Sequence, residues 1–154
     1  DTEAALHYYR HRYEHTGWAE NSLYEGMGDA IRQLHLQGFT IALCTSKPRV
    51  FAEKIIDHFD LTRYFDGIHG PEFDGRFDHK TDLLAHLIGH YKVAPVNAVM
   101  IGDRDKDVEA ALHVGAHSLG VLWGFGSHDE LHNAGARRII DSPAQLIHTV
   151  HSIA

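Results

Sequence analysis

Four short apolar runs punctuate the chain: FTIALCT (39–45), NAVMIGD (97–103), AHSLGVLWG (116–124) and RRIID (137–141). Each is separated from the next by stretches with helical periodicity. This alternation constrains the fold more than any other feature. A run that is apolar at nearly every position suits a strand buried on both faces. Strands alternating with helices argue for a parallel sheet covered by helices on both sides, so the predicted fold class is α/β. In such sheets ligands bind beyond the carboxyl ends of the strands. Thr45 and Asp103 both stand at such ends.

The intervening segments carry helix signals. Residues 1–16 read as a helix, with Ala5, Leu6, Tyr9 and Tyr13 near one face. GWAENS then forms a loop, and LYEGMGDAIRQLHLQG a second helix stopped by Gly38. Pro48 fits the first turn of a helix through VFAEKIIDHF. LTRYFDGIHG holds a turn and a short strand, and EFDGRFD is turn-rich. HKTDLLAHLIGHY places Leu83, Leu84, Leu87 and Ile88 in one core stripe, and DVEAALHVG ends at Gly115. Ser127 with Glu130 three residues on is a capping-box pattern, and Ser142 with Pro143 opens a last helix.

The bulk numbers set limits. With 154 residues, 44% of them hydrophobic, the chain can bury one core, so a single domain with at most an appendage is expected. A net charge of −7 argues against a nucleic acid polymer or an acidic membrane as partner. The lone cysteine, Cys44, lies in an apolar run, reads as a small buried hydrophobe and fits a reducing compartment. No apolar run is long enough to cross a bilayer, and a cytoplasmic protein is expected. Among 15 histidines, His7/His11/His15, His86/His90, His113/His117 and His128/His132 fall four apart. Without acidic or cysteine partners at fixed spacing, solvated helix faces are the better reading than a metal site.

The sharpest local signal is MIGDRDKDVEAA, with Asp103, Asp105 and Asp107 at alternate positions. An EF-hand loop would need glycine and glutamate where Val108 and Val114 stand, and a strand precedes the cluster rather than a helix. Acidic residues also complement a helix dipole, which accounts for part of the cluster. It does not account for Asp103 directly after a strand and a glycine. Magnesium does: it takes one or two protein carboxylates and a substrate phosphate. Asp103 at the strand end and Asp107 one turn on can face one point. Thr45 and Ser46, at another strand end before a helix, offer a hydroxyl and amides to an anion. Lys80 can neutralise phosphate charge, with Lys47 as its competitor. Arg104 and Asp105 read as a solvated turn.

In order, CTSKP, HKTDLL and MIGDRDKDVEAA resemble motifs two, three and four of the haloacid dehalogenase-like phosphohydrolases. The resemblance runs from about Leu23 to the C-terminus. LYEGM, HFDLTRYFDGIHG, GVLWGFGSHDEL and AGARRIIDSP extend it toward the branch of phosphoglycolate phosphatases and related 5′-nucleotidases. It implies a three-layer, Rossmann-like parallel sheet, with residues 23–154 as core and 1–22 as the end of an α-helical cap and its linker. It also implies a magnesium-dependent phosphomonoesterase acting on a small phosphorylated metabolite through an aspartyl-phosphate. Thr45 and Ser46 would hold the phosphoryl group, and Lys80 would offset its charge. Asp103 and Asp107 would serve the metal. The family's first motif, DxDx followed by threonine or valine, carries the nucleophile and does not occur ahead of Thr45. These residues therefore read as the C-terminal part of a larger phosphatase, with a non-catalytic phosphate-binding fragment as the alternative. A signalling receiver domain is disfavoured, because its acidic residues precede its threonine and lysine.

Overall fold

The computed structural model describes residues 23–153. The reading of 1–22 as a cap helix and linker, and the His7/His11/His15 series, lie outside the described residues. In chain order the elements are α1 (Met27–Leu36), β1 (Ala42–Cys44), α2 (Arg49–His58), β2 (Gly67–His69), α3 (Lys80–His90), β3 (Val99–Gly102), α4 (Asp105–Val114), β4 (His117–Val121), α5 (His128–Ala134), β5 (Arg138–Ile140) and α6 (Leu146–Ile153). The expected α/β alternation is present, and every strand pair is parallel.

Strand pleating sorts the side chains into layers. Successive residues of a strand point to opposite faces. On one face Val99 and Ile101 of β3, with Leu119 and Val121 of β4, pack against Ala30 and Leu34 of α1 and Val150 and Ile153 of α6. Leu43 and Ile68 continue that face toward Ile31 and, on α2, Ile56. On the other face Met100 and Cys44 meet Leu84 of α3 and Ala110 and Ala111 of α4. Leu131 of α5 is fully buried against Gly120, where a Cβ would press on its side chain. The result is three layers, helix–sheet–helix, as expected.

The sheet is divided. β1 pairs with β2, and β3–β4–β5 form a second set; no ladder joins β1 to β3. This corrects the expectation of a strand at 39–45 buried on both faces. β1 spans only three residues, all half-buried. Likewise only Met100 of β3 is fully buried, whereas four of the five residues of β4, which has partners on both sides, are. Burial of a strand comes from its neighbours as well as its composition, and β1 and β3 each have one side without a strand among the described residues.

Smaller departures have local causes. Pro48 stands just before α2, extended at φ −51° and ψ 135°, rather than within its first turn. Gly115 closes α4 at φ 81°, which releases the chain into β4, so His113 and His117 belong to a helix and a strand and share no helical face. His86/His90 and His128/His132 do stack as helical pairs, with ring centroids 5.9 Å apart in each. Among the described residues no group of three or more His, Cys, Asp or Glu is placed to hold a metal, and no helix is long and apolar enough to cross a membrane.

Candidate active site

The carboxyl ends of β1 and β3 face a common region. Thr45 follows β1 directly, and its N–H still reaches the His69 carbonyl at 3.1 Å, prolonging the β1–β2 pairing by one residue. Its Oγ1 accepts the N–H of Lys47 at 3.1 Å, a turn that folds the chain toward α2. The N–H of Arg49 goes to the Pro71 carbonyl at 3.0 Å. Two of the amides expected to await an anion are thus engaged within the protein, while Ser46 is exposed. The loop after β2 braces this turn. A Cβ on Gly70 would collide with the Lys47 carbonyl, and Arg49 pairs with Glu72 at 2.6 Å and with Glu53 at 2.6 Å. These two carboxylates hold the Arg49 guanidinium pKa above its ordinary value.

Lys80, the first residue of α3, joins the two halves of the sheet. Its Nζ donates to the Cys44 carbonyl at 3.0 Å and pairs with Asp107 Oδ1 at 3.0 Å. Both side chains are almost fully enclosed, at 11% and 9% exposure, so this is a desolvated ion pair rather than a surface one. Asp107 Oδ2 accepts the Arg104 N–H at 3.1 Å. Gly102 is required beneath it, since a Cβ there would overlap the Asp107 side chain. Burial pushes the Cys44 thiol up to about 11, with Lys80 opposing and Asp107 adding to the shift. It stays protonated at neutral pH, which fits its reading as a small hydrophobe and not a nucleophile.

Asp103 is the first residue after β3 and is half-buried. Its Oδ2 accepts the N–H of Phe125 at 2.8 Å. Arg104 is directed away from this region: its Nε pairs with Glu130 at 2.8 Å. Glu130 went unread as a site residue. The capping-box pattern forecasts a link between Glu130 and Ser127, and half of it forms: the Glu130 N–H donates to Ser127 Oγ at 3.1 Å. The carboxylate, however, turns to Arg104 and to the N–H of Asp105 at 3.0 Å. Arg104 first, and then that N–H, hold the Glu130 pKa below the ordinary carboxylate value. No sequence signal shows this, because the partners lie about 25 residues away along the chain. A separate cavity of about 430 Å³, lined by Glu53, Asp57, Thr62 and Asp66 among others, opens at the amino end of β2, away from these groups.

Thr45, Lys80, Asp103 and Asp107 thus lie around the ends of β1 and β3. Residues 1–115 match the haloacid dehalogenase-like hydrolases as a family. The chain belongs to the haloacid dehalogenase-like hydrolases. Over 127 residues it is 41% identical to a 5′-nucleotidase of Pseudomonas aeruginosa, covering 82% of this chain and 58% of that protein. It is 38% identical to the tyrosine-protein kinase PtkA of Mycobacterium tuberculosis, covering 82% of this chain and 44% of the other. A phosphoglycolate phosphatase of Vibrio vulnificus is 28% identical over 90% of this chain and 60% of its own length. Among solved structures, that of a predicted phosphatase from Clostridium acetobutylicum superposes with a TM-score of 0.93 at 38% identity, covering 99% of this chain and 72% of that one. The chain therefore spans about half the length of these two curated relatives.

Proposed function

We propose that these residues form the phosphate- and metal-binding half of a magnesium-dependent phosphomonoesterase acting on a small phosphorylated metabolite. The observation that carries this reading is the position of Lys80. One buried ammonium touches the end of β1, beside Thr45, and the acid of α4, beside Asp103. Phosphoryl transfer asks a protein mainly for positioning and for stabilisation of charge on the transferring group. A threonine hydroxyl, a fixed cation and a carboxylate loop around one point meet that demand.

The donor set suits magnesium. That ion takes few protein carboxylates and keeps waters and substrate oxygens. Asp103 Oδ2 holds the Phe125 N–H, while Oδ1 has no hydrogen-bond partner among the described residues. In this reading Asp103 is the direct ligand. Asp107, with each oxygen already accepting one bond, fixes Lys80 and would support the ion's waters through its remaining lone pairs. Magnesium held there would withdraw charge from the phosphoryl oxygens. Thr45 Oγ1 and the Ser46 N–H would bind two of those oxygens, and Lys80 Nζ would offset their charge.

In this reading the attacking carboxylate belongs to a DxD motif, and none occurs ahead of Thr45 among these 154 residues. The sides of β1 and β3 that carry no strand among the described residues would accommodate it: one parallel strand between them would join the two ladders into a six-stranded sheet and bring its carboxyl end among Thr45, Lys80 and Asp103. An aspartate there would attack phosphorus and break its bond to the ester oxygen, which leaves as the protonated alcohol; water would then cleave the aspartyl-phosphate to inorganic phosphate and the free carboxylate. The relatives' names offer phosphoglycolate and 5′-nucleotides as first substrates to test. The single cysteine suits a cytoplasmic setting. The test is phosphate release by the full-length polypeptide, with and without magnesium, beside its Asp103→Asn variant. Magnesium-dependent release that the substitution abolishes is expected; full activity in Asp103→Asn would remove the metal assignment.

A further inference from the structure

Asp103 is held by a segment far from it in sequence, the Leu122–Gly126 connection that leaves β4. The Phe125 N–H donates to Asp103 Oδ2 at 2.8 Å. A Cβ on Gly124 would fall on the Asp103 carboxylate, and a Cβ on Gly126 would fall on the Asp103 carbonyl oxygen. Neither glycine has a positive φ. Backbone conformation therefore does not require glycine at these places; closeness to Asp103 does. The connection is also anchored from its far side, where Glu130 binds Arg104 and the Asp105 N–H.

We propose that Gly124 and Phe125 are positioning residues that make Asp103 a one-oxygen magnesium ligand. The Phe125 N–H occupies Oδ2 and fixes the carboxylate plane, which would leave Oδ1 for the cation. Gly124 lets the main chain come close enough for that bond. The aromatic ring takes no part in this; it is 86% exposed. The inference rests on the reading of Asp103 as the metal carboxylate.

The test is magnesium affinity by titration calorimetry on the full-length protein, comparing wild type, Asp103→Ala and Gly124→Ala. Groups that orient a metal ligand are worth about 10–100-fold in metal affinity. Gly124→Ala should weaken magnesium binding by that factor, with kcat restored by excess magnesium and substrate KM then unchanged. Asp103→Ala should bind no magnesium at this site. If Asp103→Ala has lost the ion while a folded Gly124→Ala binds it as tightly as wild type, the positioning role is wrong. If Asp103→Ala binds magnesium normally, the metal assignment itself is wrong. Should Gly124→Ala fail to fold, the Phe125 amide resonance decides in proteins with Gly124 intact. It should move on magnesium titration of the wild type and shift in Asp103→Ala, and an amide indifferent to both overturns the proposal.

Discussion

Two side chains carry the consequences that reach furthest from their own positions. Lys80 and Asp107 are both enclosed, and a buried pair that loses one member leaves an uncompensated charge. Lys80→Met should lower stability by about 3–5 kcal/mol and abolish phosphate release, whereas Lys80→Arg should recover part of the stability but not the geometry. Urea denaturation with a phosphate assay separates these effects, and an unchanged urea midpoint in Lys80→Met would show that the pair is not desolvated. His69 behaves differently. Burial first, and then the neighbouring His90, His86 and Arg49 charges, lower its pKa below the ordinary 6.5. Its Nε2 also shares a 2.7 Å hydrogen bond with the Tyr91 hydroxyl. The folded state thus binds fewer protons at His69 than the unfolded chain does. Its contribution is full above about pH 6.5 and is lost as pH falls through the window between the unfolded and folded pKa values. His69→Gln, which keeps a partner for Tyr91, should flatten the fall in melting temperature between about pH 7 and pH 5; an identical slope would remove His69 as its source.

At the level of elements, α5 is a strut against the Asp103–Asp105 loop rather than mere cover for the sheet. Leu131 is fully buried upon Gly120, Ser127 caps the amino end, and Glu130 ties that end to Arg104 and Asp105. Removing the cap in Ser127→Ala should cost about 1 kcal/mol. Glu130→Ala should cost less stability than that, since its ion pair is exposed, yet raise the magnesium requirement more. Thermal melts with magnesium-activation curves distinguish the two, and equal activation curves would deny α5 a part in the site. These elements also show how far the chain could be read. Apolar runs of five to nine residues marked β1, β3, β4 and β5, and glycines marked the ends of α1 and α4, because burial and left-handed caps are local signals. The position of Asp103 at a strand end was legible for the same reason: strand, glycine and acid are adjacent. The Glu130 carboxylate and the Phe125 amide were not, since their partners are set by how α4 and the β4–α5 connection dock. The short, half-buried β1 was misjudged because composition records a strand's preference for burial and not whether a neighbour supplies it.

For the molecule as a whole, the open question is the interval between β1 and β3. Ile41 and Val99 lie in one apolar cluster, and Cys44 and Met100 in another, so the two strands are held above and below while their facing edges carry no ladder among the described residues. Unpaired strand edges of this kind invite another strand. If the nucleophile strand lies there in the complete polypeptide, both edges are paired and their amides are protected from exchange with solvent. If nothing lies there, they open readily, since protection follows local pairing and burial. Hydrogen exchange read by mass spectrometry on the full-length polypeptide and on the 154-residue chain alone separates the cases. The β4 segment, paired on both sides, is the internal standard and should exchange slowly in both. Ala42–Cys44 and Val99–Gly102 should match β4 in the full-length polypeptide and exchange much faster in the shorter chain. Equal, fast exchange of those segments in both would mean that no strand enters between them, and the attacking carboxylate would then have to approach from a different side of Lys80.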